Sequence, residues 1–355
     1  LRVSVVMIRG FTATTTKIKN LLSKNKDVAK FAGRERKYFQ TENALIDKID
    51  AKLDELRSNL DNTHTTYLGR DLCLVKTKWG GHVVVPGYNV DVAVGIIRDG
   101  IHEPWTTRLV QESLKYGQTY VNVGANFGYY TSLGGIIVGN EGKVFSFEAN
   151  PVVFAVLLKT IMYAGIPNRT TAFNRAVYGN TGSDLAFFFD YQFAGGGHLE
   201  FDNDEKASLG DGFWSAESIA PILDSDGRWV PAKGIMNTFR TKTLALDDVL
   251  KANKVDLLHC DVEAAEPYVI AGARSTIRNS PNLRIIFEWS GYSFAHGSDE
   301  YKETVKNMWG FLKTEGFCIR HLLPYVHADG GIEFSGPLSY EEFIVGEHGD
   351  YFAAR

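Results

Sequence analysis

Between Thr119 and Asn150 the chain reads TYVNVGANFGYYTSLGGIIVGNEGKVFSFEAN, and this order of residues leaves few architectures open. Thr119 to Val123 is a short apolar run of the kind that forms a buried strand. Gly124-Ala125-Asn126-Phe127-Gly128 is a turn, Tyr129 to Val138 reads as a helix, and Lys143 to Phe147 reads as a second strand that ends on Glu148. Strand, glycine loop, helix, strand and acid together make the unit with which α/β sheets hold a nucleoside cofactor. The glycines let main chain approach a ligand and take left-handed dihedrals. Glu148 lies about 20 residues past the loop, where an acid accepts hydrogen bonds from ribose hydroxyls.

The loop carries Gly124 and Gly128 in G-x-x-x-G spacing. That is neither the dinucleotide fingerprint G-x-G-x-x-G nor Walker A, which needs Gly-Lys-Ser/Thr. S-adenosylmethionine has no pyrophosphate to cradle and suits the loop. A plain βα turn explains the glycines alone, but not the glycines together with Glu148.

With 355 residues and 44% hydrophobic content the chain can build a large core, as one big domain with an appendage or as two domains. A net charge of −4 gives no footprint for nucleic acid. Cys73, Cys260 and Cys318 are far apart, so neither a zinc site nor a disulfide framework is indicated and a reducing cytoplasm is the simplest setting. No apolar run approaches the ~18–20 residues that cross a bilayer. Leu1 to Phe11 is apolar but short, and reads as an engineered scar or a cut from a longer chain rather than a signal peptide.

Residues 1–64 read as a helical extension, basic from Lys17 to Lys37, with Leu45, Ile49, Leu53, Leu56 and Leu60 as an apolar stripe. The stripe lies against its own domain or makes a modest homodimer contact, and contact of the basic part with an anionic membrane face is the further alternative. Residues 65–99 read as a small β region of two or three strands, with a hairpin at Gly80-Gly81 and Asp91-Val-Ala-Val as a further apolar run. Residues 100–355 carry the Rossmann-like core. Gly100 to Tyr116 is helical, with Glu103 at its start, where an acid either meets the backbone dipole or faces the cofactor's ammonium. Thr171 to Val177 is a third strand, which places Arg175, Ala176 and Val177 beside the adenine. Residues 194–238 are an irregular loop insertion holding His198 and Trp214, candidates for the acceptor. Glu342 to Val345 reads as a last strand.

The second informative stretch is Val255-Asp-Leu-Leu-His-Cys-Asp261-Val-Glu263-Ala-Ala-Glu266. A buried strand runs into three acids, and Glu263 and Glu266 share a face if a helix begins there. The next strand also ends on an acid, Glu288. Such clustering raises carboxyl pKa values or calls for a cation, while helix-start capping explains one or two of the acids.

Asn122-Val-Gly-Ala-Asn-Phe-Gly-Tyr-Tyr-Thr131, Phe147-Glu-Ala-Asn-Pro151, Asn174-Arg-Ala-Val177, Thr243-Leu-Ala-Leu-Asp-Asp-Val-Leu250 and Asp261-Val-Glu-Ala-Ala-Glu266 follow one another in an order that resembles the FkbM family of S-adenosylmethionine-dependent methyltransferases. The lead-in Gly100-Ile-His-Glu-Pro104 fits as well, and the resemblance runs from Thr65 to the C-terminus. It implies a class I methyltransferase fold, a seven-stranded, mostly parallel sheet with helices on both faces. It also implies O-methylation of a hydroxyl on a sugar, glycan or natural product, as in polysaccharide biosynthesis. On this view Gly124, Ala125, Asn126, Phe127 and Gly128 hold the methionine end, with Asn122 and Thr131 as further cofactor-binding residues. Glu148 serves the ribose, Ala149 and Asn150 beside it complete the cofactor site, and Arg175, Ala176 and Val177 serve the adenine. Asp261 is the expected general base or metal ligand, supported by Glu263, Glu266 and Glu288, with a divalent cation such as Mg as an alternative to plain acid–base catalysis. The family usually has Asp at Asn122, Gly at Ala264 and Pro at Ala149. Asn122 brings no charge for the cofactor's ammonium, which Glu103 would supply. The alternative to an enzyme is a non-catalytic scaffold module of the same fold in a glycan-assembly complex.

Overall fold

The computed structural model describes residues 48–53, 65–190, 193–199, 221–223, 229–231, 236–327 and 330–355. The chain divides into two units, Leu1–Asp61 and Asn62–Arg355. In the first, residues 48–53 are helical with Ile49 and Leu53 exposed, and the rest of the expected basic and apolar stripe lies outside the described residues. Among the described residues no helix is long and apolar enough to cross a membrane.

The second unit opens with an antiparallel sheet of β1 (Thr65–Gly69), β2 (Leu72–Lys76) and β3 (His82–Pro86), as the alternating pattern predicts. Asp91-Val-Ala-Val is not a strand. Asp91 caps the helix Val92–Asp99, its Oδ1 accepting from Val92 N at 2.6 Å. A carboxylate that satisfies a free N–H at a helix start outweighs the β-propensity of two valines.

The large sheet is built from β4 (Thr119–Val123), β5 (Lys143–Phe147), β6 (Thr170–Phe173), β13 (Leu257–Cys260), β14 (Arg284–Trp289), β15 (Cys318–Val326), β16 (Ile332–Phe334) and β17 (Gly349–Ala354). Their order is β16-β15-β17-β14-β13-β4-β5-β6. Strands β6, β5, β4, β13 and β14 are parallel, and β17 runs antiparallel between β14 and β15. The class I methyltransferase arrangement is therefore present, with β16 paired to the outer β15 as an eighth strand beyond the expected seven. The last strand is Gly349–Ala354, whereas Glu342 to Val345 falls in the helix Tyr340–Ile344, started by a Ser339/Glu342 capping box.

β4 shows why these residues make a central strand. Val121 and Val123 face one core cluster and Tyr120 the other, all with 0–1% exposure, so both faces are covered, as a parallel sheet requires. The helix Tyr129–Val138 packs close to β4 because Gly134 has no Cβ; one there would overlap the Tyr120 ring. This contact explains a glycine inside a helix, where propensity disfavours it.

A smaller sheet lies between β6 and β13 in sequence. It comprises β7 (Ala176–Val177), β8 (Asp184–Asp190), β9 (Phe193–Leu199) and β12 (Met236–Leu244), in the order β7-β12-β8-β9. The expected third strand thus splits, since Asn174 and Arg175 interrupt it and Ala176–Val177 join the second sheet. The expected loop 194–238 is partly regular. Residues 194–199 and 236–238 are strand, and β10 (Pro221–Leu223) pairs with β11 (Trp229–Pro231).

Candidate active site

Sheet order reverses beside β4, with β5 following on one side and β13 on the other. Loops leaving the carboxyl ends of two such strands diverge, which opens a crevice where α/β folds bind ligands. A cleft of ≈ 270 Å3 occupies this position. It is lined by the ends of β4 (Val123 to Phe127), β5 (Phe147 to Asn150), β13 (Asp261 to Glu263) and β14 (Glu288), together with Arg175 to Val177.

The glycine loop is built for close approach. Gly124 has φ +80°, and a Cβ there would lie 2.8 Å from the carbonyl carbon of Asp261 and closer still to its oxygen. Backbone of the first and fourth parallel strands therefore meets at the floor of the cleft. Gly124 N and Ala125 N both donate to Phe147 O, at 3.0 and 2.9 Å. Asn126 takes φ +46°, which Asn tolerates better than most residues, and its Oδ1 accepts from Phe127 N at 2.8 Å.

Glu148 is 8% exposed and ties the loop to the next strand end. Its Oε2 accepts from Asn126 N at 2.9 Å and its Oε1 from Asn150 N at 2.8 Å. Burial pushes its carboxyl up to about 7, against the pull of those N–H donors. Ala149 N–H adds a third backbone donor, and of the roughly four lone-pair sites of a carboxylate one is left for a ligand hydroxyl. Asn150 caps the helix Pro151–Tyr163 through Oδ1, at 2.9 Å from Val152 N. That bond fixes the amide orientation and leaves Nδ2 a buried donor without a partner among the described residues.

Acids collect at the other end. Asp261, Glu263 and Glu288 each place a carboxylate oxygen within 4.8 Å of the others. Burial raises all three carboxyl pKa values; Glu288 adds to the rise at Asp261, Asp261 at Glu263, and Glu263 at Glu288. His348 Nε2 lies 3.3 Å from Glu288 Oε1. Beside Glu288, as its register partner on β17, Asp350 accepts from the Thr106 hydroxyl. Glu266 does not join the trio. It is 1% exposed and turns inward, its Oε1 accepting from Val262 N at 3.0 Å. Glu263 and Ala264 adopt φ +52° and +72°, so the helix starts at Glu266 rather than Glu263 and the two glutamates share no face.

Asn122, Gly128 and Thr131 also sit away from the cleft lining. Asn122 has the strand parity of Tyr120 and points at the helix, where Nδ2 donates to Thr131 Oγ1 at 3.0 Å; Thr131 Oγ1 lies 2.9 Å from Ser146 Oγ. Gly128, φ +89°, starts the helix against Leu157 and Thr160. His198 lies on β9 opposite Phe188, and Trp214 is outside the described residues.

Sequence reasoning missed several lining residues. His102, Tyr129 and Tyr130 directly flank Glu103 and the glycine loop, and proximity to those motifs was an available signal. Asp91, Phe187 and Gly195 had no local signal, because Asp91 Oδ2 meets Gly195 N at 2.7 Å across 104 residues of chain. Burial pushes the His102 imidazole down to about 4, so it is neutral.

The family model described as "Methyltransferase FkbM domain" matches residues 122–318, more than half of the chain. No curated protein matches the sequence. Among solved structures, the O-methyltransferase from Bacillus cereus in complex with SAH is similar at 12% identity, over 76% of this chain and 83% of that one, with TM-score 0.37. Fibrillarin from Aeropyrum pernix with natively bound S-adenosyl-L-methionine is similar at 12% identity, over 82% and 98%, with TM-score 0.35. A putative O-methyltransferase from Klebsiella pneumoniae is similar at 14% identity, over 76% and 83%, with TM-score 0.36. Likenesses this distant carry no weight beside the family match.

Proposed function

Since the chain belongs to the FkbM methyltransferase family, we propose that its cleft binds S-adenosylmethionine and transfers the methyl group to a hydroxyl of a sugar, glycan or natural product. The observation that carries this reading is Glu148. It lines the cleft at the end of β5, bonded to the loop that follows β4. The residues present fit the cofactor. Gly124 lets the loop main chain close onto that of Asp261 at the cleft floor, Asn150, whose Nδ2 is unpartnered among the described residues, lines the cleft, and Glu148 keeps acceptor capacity for a ribose hydroxyl.

When bound, the cofactor supplies an electrophilic sulfonium methyl. The chain's part is to hold the acceptor oxygen in line with the S–CH3 bond and to take its proton. The bound cofactor would supply the methyl to the acceptor oxygen, and Asp261 would take the hydroxyl proton. A base works best with a pKa near the working pH, and burial with Glu288 moves Asp261 in that direction. Ala176, Val177 and Arg175 form the adenine wall in this reading. Asp261, Glu263 and Glu288 would also accommodate a divalent cation, which would lower the acceptor's pKa.

Titration calorimetry with S-adenosylmethionine tests the reading. Wild-type protein should bind, and Glu148→Ala should lose at least about tenfold in affinity, the worth of a charge-assisted hydrogen bond. Equal affinity in the two proteins refutes the ribose assignment. No heat and no thermal shift for the wild type would favour a scaffold role. Asp261→Asn turning over at the wild-type rate would remove that residue from the chemistry. A melting point raised by MgCl2 and restored by chelator would establish the cation.

A further inference from the structure

The methionine end of the cofactor carries an α-ammonium, and an ammonium taken out of water needs an anionic acceptor. Asn122 cannot serve, being neutral, buried and committed to Thr131. Asp261, Glu263 and Glu288 crowd one small volume at the strand ends. Glu103 lines the same cleft outside that trio, near enough for its charge to be felt by all three. It occupies the cap position of the helix Pro104–Ser113, where an acid commonly accepts from the first free N–H groups. Here its side chain makes no cap bond. Its backbone sits at φ +39°, ψ +79°, a left-handed conformation uncommon outside glycine, and the carboxyl lines the cleft with 35% of the side chain exposed.

One residue holds it there. Tyr130 OH donates to Glu103 Oε2 at 2.7 Å, and no other hydrogen bond among the described residues reaches this carboxyl. The Tyr130 ring is itself fixed edge-on by Tyr129 at 5.1 Å and His259 at 4.5 Å, and is 8% exposed. The hydroxyl that orients Glu103 thus has little freedom to swing, and Oε1 is left to accept. On the premise that the cleft binds S-adenosylmethionine, we propose that Glu103 receives the cofactor's α-ammonium and that Tyr130 is the positioning residue that aims it. Burial holds the Glu103 carboxyl above its ordinary range, so an arriving cation displaces a proton from it.

Binding of S-adenosylhomocysteine and of 5′-methylthioadenosine, which shares the nucleoside but lacks the amino-acid tail, isolates this contact. Glu103→Gln should weaken S-adenosylhomocysteine about 10- to 100-fold, and Tyr130→Phe roughly 3- to 10-fold, with 5′-methylthioadenosine changed less than about twofold in both. The decarboxylated amine analogue of S-adenosylhomocysteine should follow the parent compound. Calorimetry at pH 6 in buffers of different ionisation enthalpy should show fewer protons released by Glu103→Gln than by the wild type. Unchanged S-adenosylhomocysteine affinity in Glu103→Gln overturns the proposal, and so does equal loss for both ligands, which marks a merely structural role. A wild type that binds 5′-methylthioadenosine no worse than S-adenosylhomocysteine overturns the ammonium assignment while leaving the cofactor reading intact. A wild type that binds neither ligand overturns both.

Discussion

Replacing Gly124 with Ala tests whether the floor of the cleft depends on main chain meeting main chain. The new Cβ would stand 2.8 Å from the Asp261 carbonyl carbon and 3.3 Å from Val262 Cγ1, at a backbone φ of +80°. Neither side can retreat cheaply. Asp261 N donates to Val123 O at 3.0 Å, and Gly124 N donates to Phe147 O at 3.0 Å. A left-handed alanine costs about 1–2 kcal/mol, and overpacking against fixed atoms about 1–3 kcal/mol more. The stiffer unfolded chain returns about 0.4–1 kcal/mol. The net expectation is a loss of roughly 2–4 kcal/mol. Gly182→Ala is the matched control. Its φ is +96° and nothing lies within 4 Å of the added carbon, so it should show the conformational part alone, about 1 kcal/mol. Urea unfolding followed by tryptophan fluorescence gives both numbers, provided the slopes agree. If Gly124→Ala came within about 0.5 kcal/mol of Gly182→Ala, the close approach would not be a constraint, and the reasoning from it would fail. The same substitution should also weaken cofactor binding, since it displaces the Asp261 main chain.

Two further tests use the same assay. Ala264→Gly, at φ +72°, should stabilise the protein by about 0.5–1 kcal/mol with an unchanged urea slope, because glycine adopts this conformation without strain. Glu266 has its carboxyl raised by burial to about 7 from an ordinary 4.5, so the folded state holds this proton more tightly than the unfolded chain does. The resulting stability is present below pH 4.5 and lost as pH rises through 7, up to about 3 kcal/mol for this group. Glu266→Gln should therefore show a smaller difference between urea midpoints at pH 5 and pH 8 than the wild type, and parallel profiles would refute the assignment.

The loop Gly124–Gly128 and the acids Glu148, Asp261 and Glu288 were legible because each sits where an apolar run stops, and strand ends are where a parallel sheet binds. Side-chain direction was not. Asn122 lies on a strand covered on both faces, so no alternation in the sequence reveals that it meets Thr131. Glu266 looked like a partner of Glu263 because the spacing suits a helix, and only the left-handed dihedrals at Glu263 and Ala264 separate them. The strand Gly349–Ala354 escaped notice because its alternation is short and its partners, β14 and β15, lie far away in sequence.

Asp91, Phe187 and Gly195 reach the cleft from segments outside the large sheet. Ownership of the pocket is therefore split. One party, the parallel strand ends, holds the nucleoside in the proposed reading, while the other arrives on the start of the helix Val92–Asp99 and the antiparallel β8–β9 hairpin. Divergence in the second party can retune which molecule is accepted without loosening the first, so relatives with different acceptors are expected to vary most around these three residues.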